Sequence, residues 1–407
     1  MKADLIKVIH TAVESLHGYS AKEISLFHHN DTDGLSSGAL LLTALKKTGY
    51  EVSMHALEKP YPQILERIFA ASGRIIIFAD FAGKIAPLIS KMNNGKNLVL
   101  ILDHHPGEDV DDSSVINIDA ELYGLKGDRD ISASSVCYLF AEVLLNGREW
   151  DAAELSHLGV LGAIGDGFLV DGALSGINRE ILNIACRQGL MRKEHGRSKE
   201  NYFITLNGEE YPAEAVCAAL DIAGGVGYYQ DGSELGISIC LEGFNPEKWK
   251  KIETLKQQKI RIFSRELEII KSGIHNTDHI QWFNVENRFE PMGVKMIGVF
   301  CTEIRDLDIL DESRYLAGFQ NLPNNVPGFG EMNFNSSKIS MRVSSFLTKK
   351  IRSGEAPGLN TFLTQATQNI GGFVDACHGL SAATTIKLGE EEPLIREVEK
   401  ELQKRMS

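Results

Sequence analysis

EISLFHHNDTDGLSS, residues 23–37, passes from a β-branched and aromatic run through two histidines into an acidic turn, and then into an apolar-periodic segment opened by Gly34. The order it predicts is a strand at 24–28, a turn carrying Asp31 and Asp33, and a helix from about Leu35 to Lys47. A parallel α/β sheet gathers its chemistry at the carboxyl ends of its strands, so these side chains are expected to face a ligand crevice.

Two runs downstream repeat the pattern. RIIIFA (74–79) is almost continuously apolar, as a strand covered on both faces must be, and it ends in Asp80. NLVLIL (97–102) ends in Asp103, His104 and His105. Segments 61–71 and 84–93 are long enough for the crossover helices between such strands. Further helices are expected at 2–17, at 130–146 and, behind a capping box of Asp151 and Glu154, up to Asp166. The fold class is α/β: a doubly wound, mainly parallel sheet, joined by a helical linker to a smaller mixed-sheet α/β domain.

The domains are expected at 1–190, 191–275 (connecting region) and 276–407. Residues 190–245 offer a charged loop (RKEHGRSKEN, 192–201), a short helix around 213–222 and a glycine-rich, hairpin-like piece, with no visible chemistry. Asn245 and Pro246 form an N-cap and first-turn pair for a long connecting helix to about Lys271. Strands are expected at 280–285, 294–300, 338–343 and in SAATTIKL (381–388), and a terminal helix from Pro393.

Bulk properties narrow the function classes. No apolar run approaches the roughly 20 residues that span a bilayer, and the N-terminal segment looks like an amphipathic helix rather than a signal peptide, so a cytoplasmic protein without membrane partners is expected. The six cysteines fall singly, which fits buried thiols better than disulfides or a zinc ribbon. A net charge of −13 argues against the basic face that holds a long duplex. A short phosphate-bearing substrate, bound locally by metal and a few basic side chains, suits that balance.

Taken singly, His29, Asp31, Asp33, Asp80, Asp103, His104, His105 and Asp166 are ordinary cap and turn residues. Together they deliver carboxylates and imidazoles from four segments to one sheet edge, and that much negative charge calls for cations. Such donors suit Mn²⁺ or Mg²⁺ more than structural zinc. There is room for two ions, the arrangement that activates a water and stabilises the leaving oxygen in phosphoryl transfer, with Asp31 and Asp33 serving neighbouring ions and Asp80 bridging.

HNDTDG, the Asp80 of FADFAG, LDHHPG and GAIGDG resemble, in order and spacing, the four motifs of the DHH phosphoesterase superfamily over roughly residues 20–190. The resemblance implies a DHH domain binding two Mn²⁺ ions. One would be held by Asp31 and Asp80 with a histidine of the first motif, His29 or His28, added, the other by Asp33, Asp80, His104 and Asp166. It also implies that His105 faces the scissile phosphate while Asp103 orients the neighbouring imidazole. Some branches place the first-motif histidine four residues before the first Asp; here His29 lies two before Asp31 and His28 three.

KISMRVS (338–344) and GGFVDACHGLSAATTI (371–386) are similar to the DHH-associated domain of the RecJ-like and nanoRNase-like branches. That likeness implies Arg342, His378 and the backbone of Gly371 and Gly372 gripping a phosphate or terminal nucleotide across the interdomain cleft, although family members commonly carry the histidine directly after the glycines. The activity implied is a Mn²⁺-dependent phosphodiesterase, exonuclease-like or nanoRNase-like, on short single-stranded RNA or DNA or on nucleotides. Alternatives are a cyclic-dinucleotide phosphodiesterase, a pyrophosphatase or exopolyphosphatase, and a non-catalytic DHH-like binding module. The reading leaves room for a homodimer.

Overall fold

Helix α1 (Lys2–Gly18) buries Leu5, Ile9, Ala12, Val13 and Leu16, the stripe that its sequence spacing predicts. Five strands follow: β1 (Glu23–His28), β2 (Glu51–Ala56), β3 (Ile75–Ala79), β4 (Leu98–Asp103) and β5 (Val115–Asp119). They form one parallel sheet in the order β2-β1-β3-β4-β5. Helix α2 (Thr32–Lys47) leaves β1, while α3 (Pro62–Ile68) and α4 (Ala86–Asn93) lead into β3 and β4. The order reverses between β1 and β3, a switch point beside which connections diverge and leave a crevice. The computed structural model describes residues 1–406.

Register decides what meets at that crevice. His28 pairs with Ala79, Ala79 with Leu102, and Asp103 with Asp119, so the residues that follow β1 and β3 lie level with the end of β4. β3 and β4 are buried along their whole length, as their apolar runs require. β2 and β5 escape sequence reading because EVSMHA and VINID mix polar with apolar residues, and both form the edges of the sheet.

Contacts along the chain group it into two units, Met1–Glu253 and from Thr254 onward, with helix α10 (Pro246–Gly273) running across the boundary. The first unit also holds α5 (Ala133–Leu145), α6 (Ser156–Gly165), α7 (Gly176–Arg187), α8 (Ala213–Asp221), a π-turn at Ile222–Val226 and α9 (Gly232–Glu242). Its core runs from Leu5 to Ile252 and takes in Ile204, Leu206, Val216 and Ile239.

Two expectations for this stretch are corrected. RKEHGRSKEN is a β-hairpin of Met191–His195 and Glu200–Leu206 rather than a loop. The glycine-rich piece is mainly helical: Gly224 and Gly236 form no hairpin turn but permit close approach, since a Cβ would come 1.7 Å from the Asn30 carbonyl oxygen at one and 2.7 Å from Leu35 at the other.

The second unit is built on a mixed six-stranded sheet. Its order is His275–Asn276, Ile280–Asn284, Tyr315–Asn321, Ser336–Arg342, Ser381–Lys387 and Phe373–Cys377, with the Ile280–Asn284 and Tyr315–Asn321 pair parallel. The helices Leu359–Asn369 and Glu391–Met406 contribute Phe362, Leu363, Leu394 and Val398 to its core. The strand expected at 294–300 is instead helix α11 (Met296–Ile304), which buries Met296, Ile297, Phe300, Cys301 and Ile304; a short apolar run does not separate the two periods. Among the described residues no helix is long and apolar enough to cross a membrane.

Candidate metal centre

The level strand ends set out the site. Asp31 is the N-cap of α2: its Oδ1 accepts the Gly34 N–H at 3.0 Å, and its Oδ2 lies 2.8 Å from His29 Nδ1. Asp33, in the first turn of the same helix, is fully buried; its oxygens accept the Ala133 and Ser134 N–H groups, each at 2.8 Å, from the amino end of α5. Those bonds fix the carboxylate while each oxygen keeps a second acceptor position. Asp80 follows β3 with a positive φ of 69°, a left-handed conformation that Asp adopts more readily than most residues. Its Oδ1 lies 3.3 Å from His104 Nε2 and its Oδ2 3.4 Å from His29 Nδ1. Asp166, at the C-cap of α6, places Oδ2 3.8 Å from the same His104 nitrogen.

Donor atoms therefore converge in overlapping sets. Those of His29, Asp31 and Asp80 lie within 4.8 Å of one another, as do those of Asp33, His104 and Asp166, and those of Asp80, Asp103, His104 and His105. His28 points elsewhere. Its Nδ1 donates to the His29 carbonyl at 2.7 Å, and its buried ring is pushed down to a pKa of about 4.

Asp103 serves its neighbours: Oδ1 accepts the His105 ring Nδ1–H and the His104 N–H, both at 2.8 Å, and Oδ2 accepts the Gly83 N–H at 2.8 Å. Burial opposes its ionisation, but the adjacent imidazoles and these bonds prevail and hold the carboxyl below the usual range.

The donor set fits a divalent cation. His104 Nδ1 donates to the Gly127 carbonyl at 2.6 Å, so a neutral ring presents its Nε2 lone pair to the carboxylates. That nitrogen is buried and has no hydrogen-bond partner among the described residues. Burial raises the Asp80 carboxyl well above its ordinary range, and the charges of Asp31 and Asp33 add to the effect. Asp33 is also raised by burial, against the pull of His104. His104 is held well above the ordinary imidazole value, because Asp80, Asp33 and Asp166 outweigh the burial that pushes it down. Without a metal, the cluster draws a proton onto His104. A hard or intermediate cation would neutralise the same carboxylates and accept the Nε2 lone pair.

In the second unit, Arg342 ends its strand half-buried. Its Nε donates to Thr302 Oγ1 at 2.9 Å and its Nη1 to the Met341 carbonyl at 2.8 Å. Among the described residues no carboxylate lies within ion-pair distance of it, and burial pushes the guanidinium below its ordinary range. Arg342 pairs in register with Ser381, whose carbonyl accepts the His378 N–H at 2.8 Å, so the His378 turn lies at the same end of the sheet. Gly371 and Gly372 do not. A Cβ on Gly372 would meet the Thr385 carbonyl, four residues along that strand and roughly 13 Å away at about 3.3 Å per residue.

Sequence reading missed the groups that hold these donors in place. The Gly127 carbonyl, the Ala133 and Ser134 amides and Asp221 come from loops and helix ends whose approach only the fold reveals. The one available signal was Ser132 before an apolar run, which marks the start of α5.

Residues 23–162 match the DHH family, N-terminal domain. An uncharacterized protein of Methanocaldococcus jannaschii is 33% identical over 186 residues, 44% of this chain and 39% of that relative's length. The crystal structure of exonuclease RecJ bound to manganese superposes with a TM-score of 0.60 at 14% identity, covering 97% of this chain and 94% of that one. RecJ from Thermus thermophilus in complex with Mn²⁺ gives a TM-score of 0.60 at 16% identity, covering 98% of this chain and 55% of that one. At these identities the likeness to the solved structures is one of fold.

Proposed function

We propose that this chain, whose residues 23–162 are a DHH-family N-terminal domain, is a Mn²⁺-dependent phosphodiesterase acting on short single-stranded RNA or DNA or on nucleotide ends. The observation that carries the reading is the position of Asp80, whose two carboxylate oxygens face different imidazoles, His104 and His29. Asp80 would bridge. His29 and Asp31 would complete one ion's donors, and Asp33, His104 and Asp166 the other's. A pair of such ions, when bound, supplies the charge that lowers the pKa of a water and stabilises the leaving oxygen.

The chain's own groups do the rest. Asp103 takes the Nδ1–H of His105 and so orients the ring; with Nε2 protonated as well, the ring would donate that second N–H to a phosphoryl oxygen. Arg342 offers a guanidinium that has no carboxylate partner among the described residues, suited to a phosphate, and His378 would join it. Gly371 and Gly372 have no part in this reading. The substrate class draws support from the manganese-bound exonuclease with the same fold and from a net charge of −13, which disfavours a long duplex.

The test is a panel of short RNA and DNA oligonucleotides, cyclic dinucleotides, a nucleoside 3′,5′-bisphosphate and pyrophosphate, each incubated with Mn²⁺ and resolved by product. Release of nucleotides from the oligomers, abolished by chelation, is expected. Turnover of pyrophosphate alone, or of nothing while the protein binds no Mn²⁺, would overturn the reading.

A further inference from the structure

Thr32 stands between Asp31 and Asp33, the two carboxylates assigned above to different ions. It is fully buried, and its N–H and hydroxyl bond outside the motif. Its N–H donates to Asp221 Oδ1 at 3.0 Å, and its hydroxyl lies 3.0 Å from both that oxygen and the Cys217 carbonyl. Cys217 and Asp221 belong to α8, nearly 190 residues later in the chain, in the stretch where the sequence shows no chemistry. The π-turn after α8 continues the contact: the Gly224 carbonyl accepts the Asn30 side-chain amide at 2.8 Å. On its other side Thr32 packs against Gly165, where a Cβ would come 2.6 Å from the Thr32 Cβ; Gly165 immediately precedes Asp166.

From this geometry we infer that Asp221 is a positioning residue that, through Thr32, fixes Asp31 relative to Asp33 and so sets the spacing of the two ions. The inference rests on the two-ion reading above. The first N–H groups of a helix have no intrahelical acceptor, and a remote carboxylate on the Thr32 N–H pins the helix start to a second element. The two ligands depend on that pin unequally. Asp33 is anchored by the Ala133 and Ser134 amides, 100 and 101 residues along the chain, whereas the cap bond of Asp31 to the Gly34 N–H and its 2.8 Å contact with His29 Nδ1 both lie within its own motif. Loss of the pin therefore frees Asp31 first, and the ion served by His29, Asp31 and Asp80 is the one to weaken.

The experiment is Mn²⁺ binding to the full chain, followed by calorimetry and by electron paramagnetic resonance, for wild type, Asp221→Ala and Asp221→Asn. Wild type is expected to take up two spin-coupled ions. Asp221→Ala should keep one site at wild-type affinity, weaken the other by about 10-fold or more and lose the coupled signal. Asp221→Asn retains an acceptor oxygen and should restore both. Should Asp221→Ala fail to fold, Thr32→Val, which removes the hydroxyl and keeps the N–H, is expected to weaken the same single site. Wild-type binding by Asp221→Ala would overturn the inference, as would equal weakening of both sites. An Asp221→Asn variant as weak as Asp221→Ala would trace the effect to charge rather than position and overturn it too. A wild-type chain that binds no Mn²⁺ would instead overturn the two-ion reading on which the inference rests.

Discussion

His104 donates its Nδ1–H to the Gly127 carbonyl at 2.6 Å, and a Cβ at Gly127 would come 1.5 Å from the His104 carbonyl oxygen. The two residues approach so closely that only glycine fits, and the bond directs Nε2 toward Asp80, Asp33 and Asp166. Gly127→Ala must push the loop away and release the ring. Groups that orient a metal-binding imidazole typically contribute 10- to 100-fold in affinity, so Mn²⁺ binding should fall by about that factor. Calorimetric titration checks it, and an affinity within twofold of wild type would show that the ring needs no such support.

Asp80→Asn should separate function from stability. Burial, with the charges of Asp31 and Asp33, raises the Asp80 carboxyl well above its ordinary range, so the folded protein loses stability as pH rises through that value. Asn removes the charge and still tolerates the positive φ of this position. In chelator, the variant should therefore melt above wild type, and the gain should widen from pH 6 toward pH 8. It should also lose turnover and the thermal shift that Mn²⁺ gives wild type. A variant that melts below wild type at every pH would contradict this account of the charge.

The strands that carry the site were legible because burial on both faces demands apolar runs: RIIIFA and NLVLIL announced β3 and β4 and the acidic residues behind them. The edge strands β2 and β5 were not, since a strand with one neighbour keeps polar residues. Nor did the sequence distinguish His29 from His28. That choice depends on which ring the backbone turns toward Asp31, and it emerges only once His28 is seen bonded to the His29 carbonyl. Asp221 was invisible for a related reason: its partner is remote in the chain, and a single Asp at a helix end has no signature of its own.

Asp119 gives the metal-free protein a second pH response. Its Oδ2 is buried beside Gly83 and Gly107, where a Cβ would come 2.2 Å and 2.4 Å from it, and it has no hydrogen-bond partner among the described residues. Burial, reinforced by the charge of Asp103, raises its pKa to about 8. The unfolded value is about 3.9. Between the two the folded state holds the extra proton, so this group's contribution is fully present below pH ~4 and is lost as pH rises through about 8. Asp119→Asn should flatten that decline. Melting temperatures in chelator at pH 5.5 and pH 9 test it: wild type should drop more between them than the variant, and parallel curves would refute the assignment.

Arg342→Met tests the second unit. The guanidinium is held by Thr302 and the Met341 carbonyl, with no carboxylate beside it among the described residues. A half-buried charge without a counter-ion among the described residues adds little stability, so its replacement by an apolar side chain of similar reach should leave the melting temperature unchanged or raise it slightly. If Arg342 holds the substrate phosphate, the variant loses a charge-assisted hydrogen bond of about 1.5–3 kcal/mol, roughly 10- to 100-fold in binding. The loss should appear mainly as a higher KM on whichever oligonucleotide the wild type hydrolyses, because the bond is made in the ground state as well as the transition state. A purely structural arginine predicts the opposite pattern, a lower melting temperature with an unchanged KM, and steady-state kinetics beside a melting curve tells the two apart.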